Sequence, residues 1–184
     1  MQQAEQLLVI SKATSYFSLQ YDIYTGFLTN SIFKTPIEKT SLKALSRLAG
    51  NFKNLIVNYY SPADVQPLID LFAQSNNILV EYVYYLVNNY PQETTNKMKL
   101  LKENCKKGAA LMSRICPYWR EAEWNGLLLT YLDLIEKLSN LLVNNAAENY
   151  EERVTAIYES FNRITQDVSA YFSGGIISDK AESF

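Results

Sequence analysis

The chain of 184 residues contains no histidine. That single absence excludes the Ser-His-Asp triad, the Cys-His pair and imidazole ligation of a metal. A di-iron centre of the helical-bundle type would lack its usual nitrogen ligands. Glycine and proline are scarce, at six and five residues. Neither is well tolerated inside a helix, so their scarcity favours an all-helical chain. Gly26, Gly50, Gly108, Gly126, Gly174 and Gly175 form no glycine-rich loop ahead of a helix, which leaves nucleotide binding without a phosphate cradle. Cys105 and Cys116 are the only cysteines. On one helix they would stand about 16 Å apart along its axis, beyond the reach of a disulfide, and both are expected as buried, reduced thiols. No apolar run approaches the roughly 20 residues of a membrane span. The opening "MQQAEQLLVI" has no basic n-region, so no signal peptide is expected. A cytoplasmic protein with no membrane partner follows as the expectation. Charge of neither sign dominates, with 17 basic against 19 acidic residues and a net charge of −2. A nucleic-acid partner is not expected, because such binders show a basic excess.

What is present is helical periodicity. Hydrophobic residues make up 48% of the chain, enough for one core at this length. Six helices are expected. The first covers about 2–30, with Ile10, Phe17, Tyr21, Tyr24 and Leu28 at helical spacing. The second covers about 40–58, with Leu45, Leu48, Phe52, Leu55 and Ile56 on one stripe. At "YYSPAD", Ser61 suits an N-cap and Pro62 a first turn. Pro67 predicts a short turn at 62–65 and a separate third helix over 66–89, because an interior proline removes a hydrogen bond. That helix carries Leu68, Leu71, Phe72, Ser75, Leu79 and Tyr82 on its inner face. The fourth helix runs from Pro91 to about Ile115, where Pro117 stops it. The fifth covers about 120–145, with Leu127, Tyr131, Leu134, Leu138 and Leu141 inward. The sixth opens at Asn149, an N-cap with Glu152 in capping-box position. "SGG" at 173–175 is expected to close it with a glycine cap, leaving 178–184 as a flexible tail. The predicted fold is an all-α antiparallel bundle of about six helices, of ferritin-like or four-helix-bundle type, forming one domain over 1–177.

The chain echoes itself. "YLVNN" at 85–89 and "LLVNN" at 141–145 end the third and fifth helices. "YYSPAD" at 59–64 parallels "YWREAE" at 118–123. Two pseudo-symmetric halves, about 40–89 and 99–145, are expected from this repeat.

Chemistry-bearing residues are few. The inner stripes contain no Asp or Glu, and Glu81 and Asp167 are expected as flanking residues whose charge reaches solvent. A carboxylate site would need Glu81, Glu136 or Asp167 to turn inward together. No catalytic residue, metal ligand or cofactor is assigned. The lysines of "KMKLLKENCKK" at 97–107 are expected to form a solvated face. The fourteen tyrosines stand out. Tyr21, Tyr24, Ser75 and Tyr131 fall on or beside inward stripes of three helices, and buried hydroxyls need partners. They are the candidates for a polar bundle centre or a small-ligand pocket. Cys116 precedes a corner, Pro117, Tyr118, Trp119, Glu123 and Trp124, expected to pack where one helix stops and the next begins.

The stretch "PYWREAEWNGLLLTYLDL", followed by "YEERVTAIYE" and "YFSGGII", resembles an uncharacterised family of small two-repeat helical proteins from spore-forming bacteria. Members read N-P-Y-W-x-E-x-E-W, then a helix with Glu-His-Leu, and finish near an Ala-Asp/Gly-Ile motif. Some carry labels such as acetylglutamate kinase or glycosyltransferase, for which no motif exists in this chain. The resemblance spans about 13–177. It implies histidines where this chain has Tyr21, Ser75 and Tyr131, and an acid where it has Ala170. Three functions follow as expectations. The first is a non-enzymatic binding or protein-interaction module. The second is a degenerate metal-binding or ferritin-like enzyme. The third is a structural module that pairs with a protein partner or with its own copies.

Overall fold

The computed structural model describes residues 1–146 and 148–182, and these form six α-helices with no strand among them. The helices are α1 (Gln3–Ile32), α2 (Glu38–Ile56), α3 (Pro62–Val87), α4 (Pro91–Ile115), α5 (Glu121–Val143) and α6 (Tyr150–Glu182). Short connections make consecutive helices antiparallel neighbours. Each helix packs on the next, and α6 returns to α1, which closes the ring. The odd-numbered helices also touch one another across the middle, whereas α2, α4 and α6 each sit in the outer groove between two of them. The core is therefore centred where α1, α3 and α5 meet.

Local chemistry explains most helix ends. Ser61 Oγ accepts from Asp64 N at 3.2 Å, capping α3 as expected. The helix is continuous through Pro67, so the separate turn at 62–65 does not form. Pro67 leaves the Ala63 carbonyl without its helical donor, but both residues are exposed, and water replaces the missing bond. At the other end, Asn89 adopts φ 59°, Asn89 N donates to Leu86 O, and Tyr90 N donates to Tyr85 O at 2.9 Å. That is a Schellman motif with asparagine in the left-handed position. Its sequence echo at 143–145 ends differently, because Asn145 has no positive φ. Asn149 is left-handed as well, at φ 54°, instead of the extended cap expected before α6.

The largest departure is in α6. The helix does not stop at "SGG" but continues to Glu182, with Ser178, Asp179 and Lys180 half-buried. The expected flexible tail is thus helical over 178–182, and Ser183 and Phe184 lie outside the described residues. The reason is packing. A Cβ on Gly175 would lie 2.0 Å from Trp119 Nε1, so this glycine admits an indole ring and does not cap a helix. Trp119 is fully buried, stacks on Phe172 at 5.0 Å and donates from Nε1 to Phe172 O at 3.2 Å.

Trp119 also meets Tyr60 at 5.5 Å. The two aromatic corners of the sequence echo therefore sit at the same end of the bundle and touch. Tyr171 fastens the second corner, its hydroxyl accepting from Arg120 N at 2.6 Å. Pro117 is exposed and Tyr118 half-buried, while Glu123 pairs with Arg120 at 2.9 Å in the first turn of α5.

Candidate ligand cavity

The middle of the bundle holds a cavity of about 170 Å³ with walls from all six helices. From α1 come Tyr16, Phe17, Gln20 and Tyr24, at the three- and four-residue spacing that keeps side chains on one helix face. The inner face of α3 supplies Phe72, Ser75 and Leu79, that of α4 Asn104, Cys105 and Gly108, and that of α5 Trp124, Leu128 and Tyr131. Phe52 of α2 and Thr165 and Val168 of α6 complete it. The lining is overwhelmingly apolar and includes no Asp, Glu, Lys or Arg.

Its polar groups fall into two sets. The first is internally paired. Tyr24 Oη donates to Asn76 Oδ1 at 2.8 Å, and Asn76 Nδ2 reaches Leu45 O at 3.4 Å. Asn104 Nδ2 donates to Ser75 Oγ at 3.1 Å, and Ser75 Oγ donates to Leu71 O at 2.8 Å. Tyr16 Oη reaches Leu48 O at 3.4 Å. The second set is unpaired. The hydroxyls of Tyr131 and Thr165 and the indole Nε1 of Trp124 are buried with no hydrogen-bond partner among the described residues. The Tyr131 ring is held edge-on against Tyr24 at 5.9 Å and Phe161 at 5.3 Å. The residue as a whole is half-buried and lines the cavity, while its hydroxyl oxygen is itself buried.

Burial dominates the acid–base chemistry. It pushes the phenols of Tyr16, Tyr24 and Tyr131 above their ordinary range and raises the Cys105 thiol to about 11. These groups stay protonated at neutral pH. They can exchange hydrogen bonds with a ligand, but none is tuned to move a proton.

Of the four residues expected at the bundle centre, Tyr24, Ser75 and Tyr131 line the cavity. Tyr21 does not. It lies on the seam of α1 and α6, against Phe161 at 5.7 Å and Tyr158 at 6.5 Å. Phe17, Tyr24 and Leu28 of the predicted stripe are buried, and Tyr16 and Gln20 join Phe17 and Tyr24 on the cavity face of α1. Ile10 lies outside it and is 43% exposed. Asn76 and Asn104 escaped the sequence reading. Asn76 interrupts the apolar sequence Val65, Ile69, Phe72, Leu79, Val83 at helical spacing. Asn104 lies between Leu101 and Gly108 on the inner side of the lysine-rich helix. A polar residue at an apolar position was the available signal in both cases.

The carboxylates do not converge. Glu81 pairs with Lys97 at the surface, Glu136 pairs with Lys102 at 3.0 Å, and Asp167 is exposed. Among the described residues no three His, Cys, Asp or Glu side chains gather as metal ligands. Ala170, where the resemblance implies an acid, is exposed as well. Lys99, Lys102, Lys106 and Glu136 line a second, more polar groove of about 560 Å³ beside α4. Tyr84 and Tyr90, both exposed, form an aromatic cluster with Tyr85, at 5.5 and 6.0 Å. Cys105 and Cys116 are free thiols, and no helix among the described residues is long and apolar enough to cross a membrane. No family model, no curated protein and no solved structure matches the chain.

Proposed function

We propose that the protein is a non-enzymatic binding module whose bundle centre receives a small, uncharged, largely apolar molecule. The observation that carries this reading is the 170 Å³ cavity, bounded by six helices and free of charged side chains. A dry cavity of about 150 Å³ is enough to hold benzene. The polar groups beside it are held protonated by burial, which suits recognition better than turnover. The two free thiols suit a reducing compartment, and we place the protein in the cytoplasm. Membership of the spore-former family, with two duplicated halves, is part of the same proposal. It rests on the Pro117–Trp124 corner, and two of the three positions where that family is taken to carry histidine, Ser75 and Tyr131, border the cavity.

A ligand that binds only the folded state raises its stability by about 1.4 kcal/mol at ten times Kd. For a chain of this length that is about 3 °C in Tm. Thermal unfolding with benzene, toluene and phenol at saturating concentration is expected to show such a rise. Unchanged Tm values with all three would overturn the reading.

A further inference from the structure

We infer that the outer face of α1, with the edge of α6 beside it, is where two copies of this chain associate, antiparallel about a two-fold axis near Leu8. The inference is independent of the cavity and starts from exposure. Among the first ten residues only Val9 is buried. Leu7, Leu8 and Ile10 are 61%, 53% and 43% exposed, and Leu19 further along the helix is exposed as well. Large apolar side chains exposed singly are ordinary, whereas a contiguous group marks an interaction surface. Ser11 and Ser15, small and exposed, let a neighbouring helix sit close. The edge of α6 extends the face. Thr14 Oγ1 and Ser169 Oγ meet at 3.1 Å, which sets α6 antiparallel beside α1. Ala170 and Gly174 are exposed there, and residues 168–178 carry no charge.

The charges name the occupant. Over residues 3–21 α1 carries two charged side chains, Glu5 and Lys12, and both are exposed. They stand seven residues apart, two turns of helix, and so share a face with Leu8 between them. Read in reverse, this pattern is its own complement. In an antiparallel pair Glu5 of each copy lies opposite Lys12 of the other, and the two Leu8 side chains meet at the axis. A parallel pair sets like charge against like charge. Glu5 caps Gln2 N through Oε2 at 2.8 Å and keeps Oε1 for a partner. From Gln2 to Leu19 the face is about 26 Å long and, two helices wide, about 20 Å across. Roughly 500 Å² in outline is at the low end of specific interfaces, so the dimer is weak and reversible.

Sedimentation equilibrium of the full chain tests this between about 5 and 500 μM, the range in which a weak interface associates. The mass is expected to rise from 21.1 kDa toward twice that value. Lys12→Glu and Glu5→Lys are each expected to weaken the dimer about tenfold, because two attractive pairs become repulsive. An equimolar mixture of these two variants is expected to associate as the wild type does, since one is acidic at both positions and the other basic. Leu8→Glu is expected to abolish association while leaving the helical circular dichroism unchanged. Should Glu5→Lys lose its cap and unfold, Lys12→Glu and Leu8→Glu carry the test. A wild type that stays at 21.1 kDa throughout would overturn the proposal. So would a dimer that Leu8→Glu and Lys12→Glu leave intact. Two charge variants that remain monomeric when mixed would overturn the antiparallel arrangement. A monomer that instead binds phosphatidylcholine vesicles, and loses them in Leu8→Glu, would assign the face to a lipid surface and overturn self-association.

Discussion

Tyr131 and Tyr24 touch across the cavity and carry the same functional group, yet their hydroxyls stand in opposite positions. Tyr24 Oη has an acceptor in Asn76 Oδ1 at 2.8 Å, whereas Tyr131 Oη is buried with none. A buried polar group left unpaired costs about 1–3 kcal/mol. Removing the Tyr131 hydroxyl removes that cost, so Tyr131→Phe is expected to stabilise the unliganded protein by about 1 kcal/mol. Tyr24→Phe strands Asn76 Oδ1 and is expected to destabilise it by about 1–2 kcal/mol. Urea denaturation of the two variants measures both. Two substitutions of the same sign would mean that Tyr131 already has a partner, such as an ordered water. At this scale the sequence was partly legible. Tyrosine on an inward stripe is visible as a pattern. Which of Tyr21 and Tyr24 points to the centre depends on where α1 meets α6, and a shift of one residue turns a helix face by about 100°.

The elements themselves were easier to read. All five stripe residues assigned to α2 are buried, and α4 has the bounds that Pro91 and Pro117 imply. These features are local, set by apolar spacing and by proline's missing donor. The end of α6 departs from its sequence pattern because the feature that decides it is non-local. Two adjacent glycines read as a helix stop, but Gly175 is a contact with an indole from a different helix corner. Gly174 is exposed, and a Cβ there meets nothing within 4 Å. The two positions therefore predict opposite outcomes for one substitution. Gly174→Ala is expected to stabilise α6 by about 0.5–1 kcal/mol through helix propensity. Gly175→Ala overpacks Trp119 against Phe172 and is expected to cost about 3 kcal/mol. Denaturation midpoints of the two variants provide the check. A Gly175→Ala protein as stable as Gly174→Ala would mean that Trp119 has room to move aside.

The closed ring concentrates buried tyrosine and thiol in one core, and this sets the response of the whole molecule to pH. The chain has no imidazole, so no side chain at its ordinary pKa changes charge between about pH 5 and 8. The alkaline side is different. Burial raises Cys105 from 9.0 to about 11, with Lys102 nearby acting weakly in the other direction. It raises Tyr82 from 10.0 to about 12, helped by the charge of Glu136. It raises Tyr16, Tyr24 and Tyr131 as well. In every case the folded chain keeps a proton that the unfolded chain releases, so the stabilisation is complete below the unfolded value and is lost as pH climbs toward the folded one. The loss therefore begins near pH 9 with Cys105 and steepens above pH 10, where each tyrosine adds about 1.4 kcal/mol per pH unit. By pH 11 the combined loss is on the order of 5–10 kcal/mol, comparable with the whole stability of a domain, about 5–15 kcal/mol. Unfolding should then be one cooperative step between about pH 10 and 11.5. Helical circular dichroism and tyrosinate absorbance followed together through that range are expected to change in concert, with the buried phenols ionising only as the helices melt. Smooth ionisation of every tyrosine while the helices persist to pH 12 would show that water reaches the centre of the ring freely, and the cavity would then be a hydrated channel unsuited to an apolar guest.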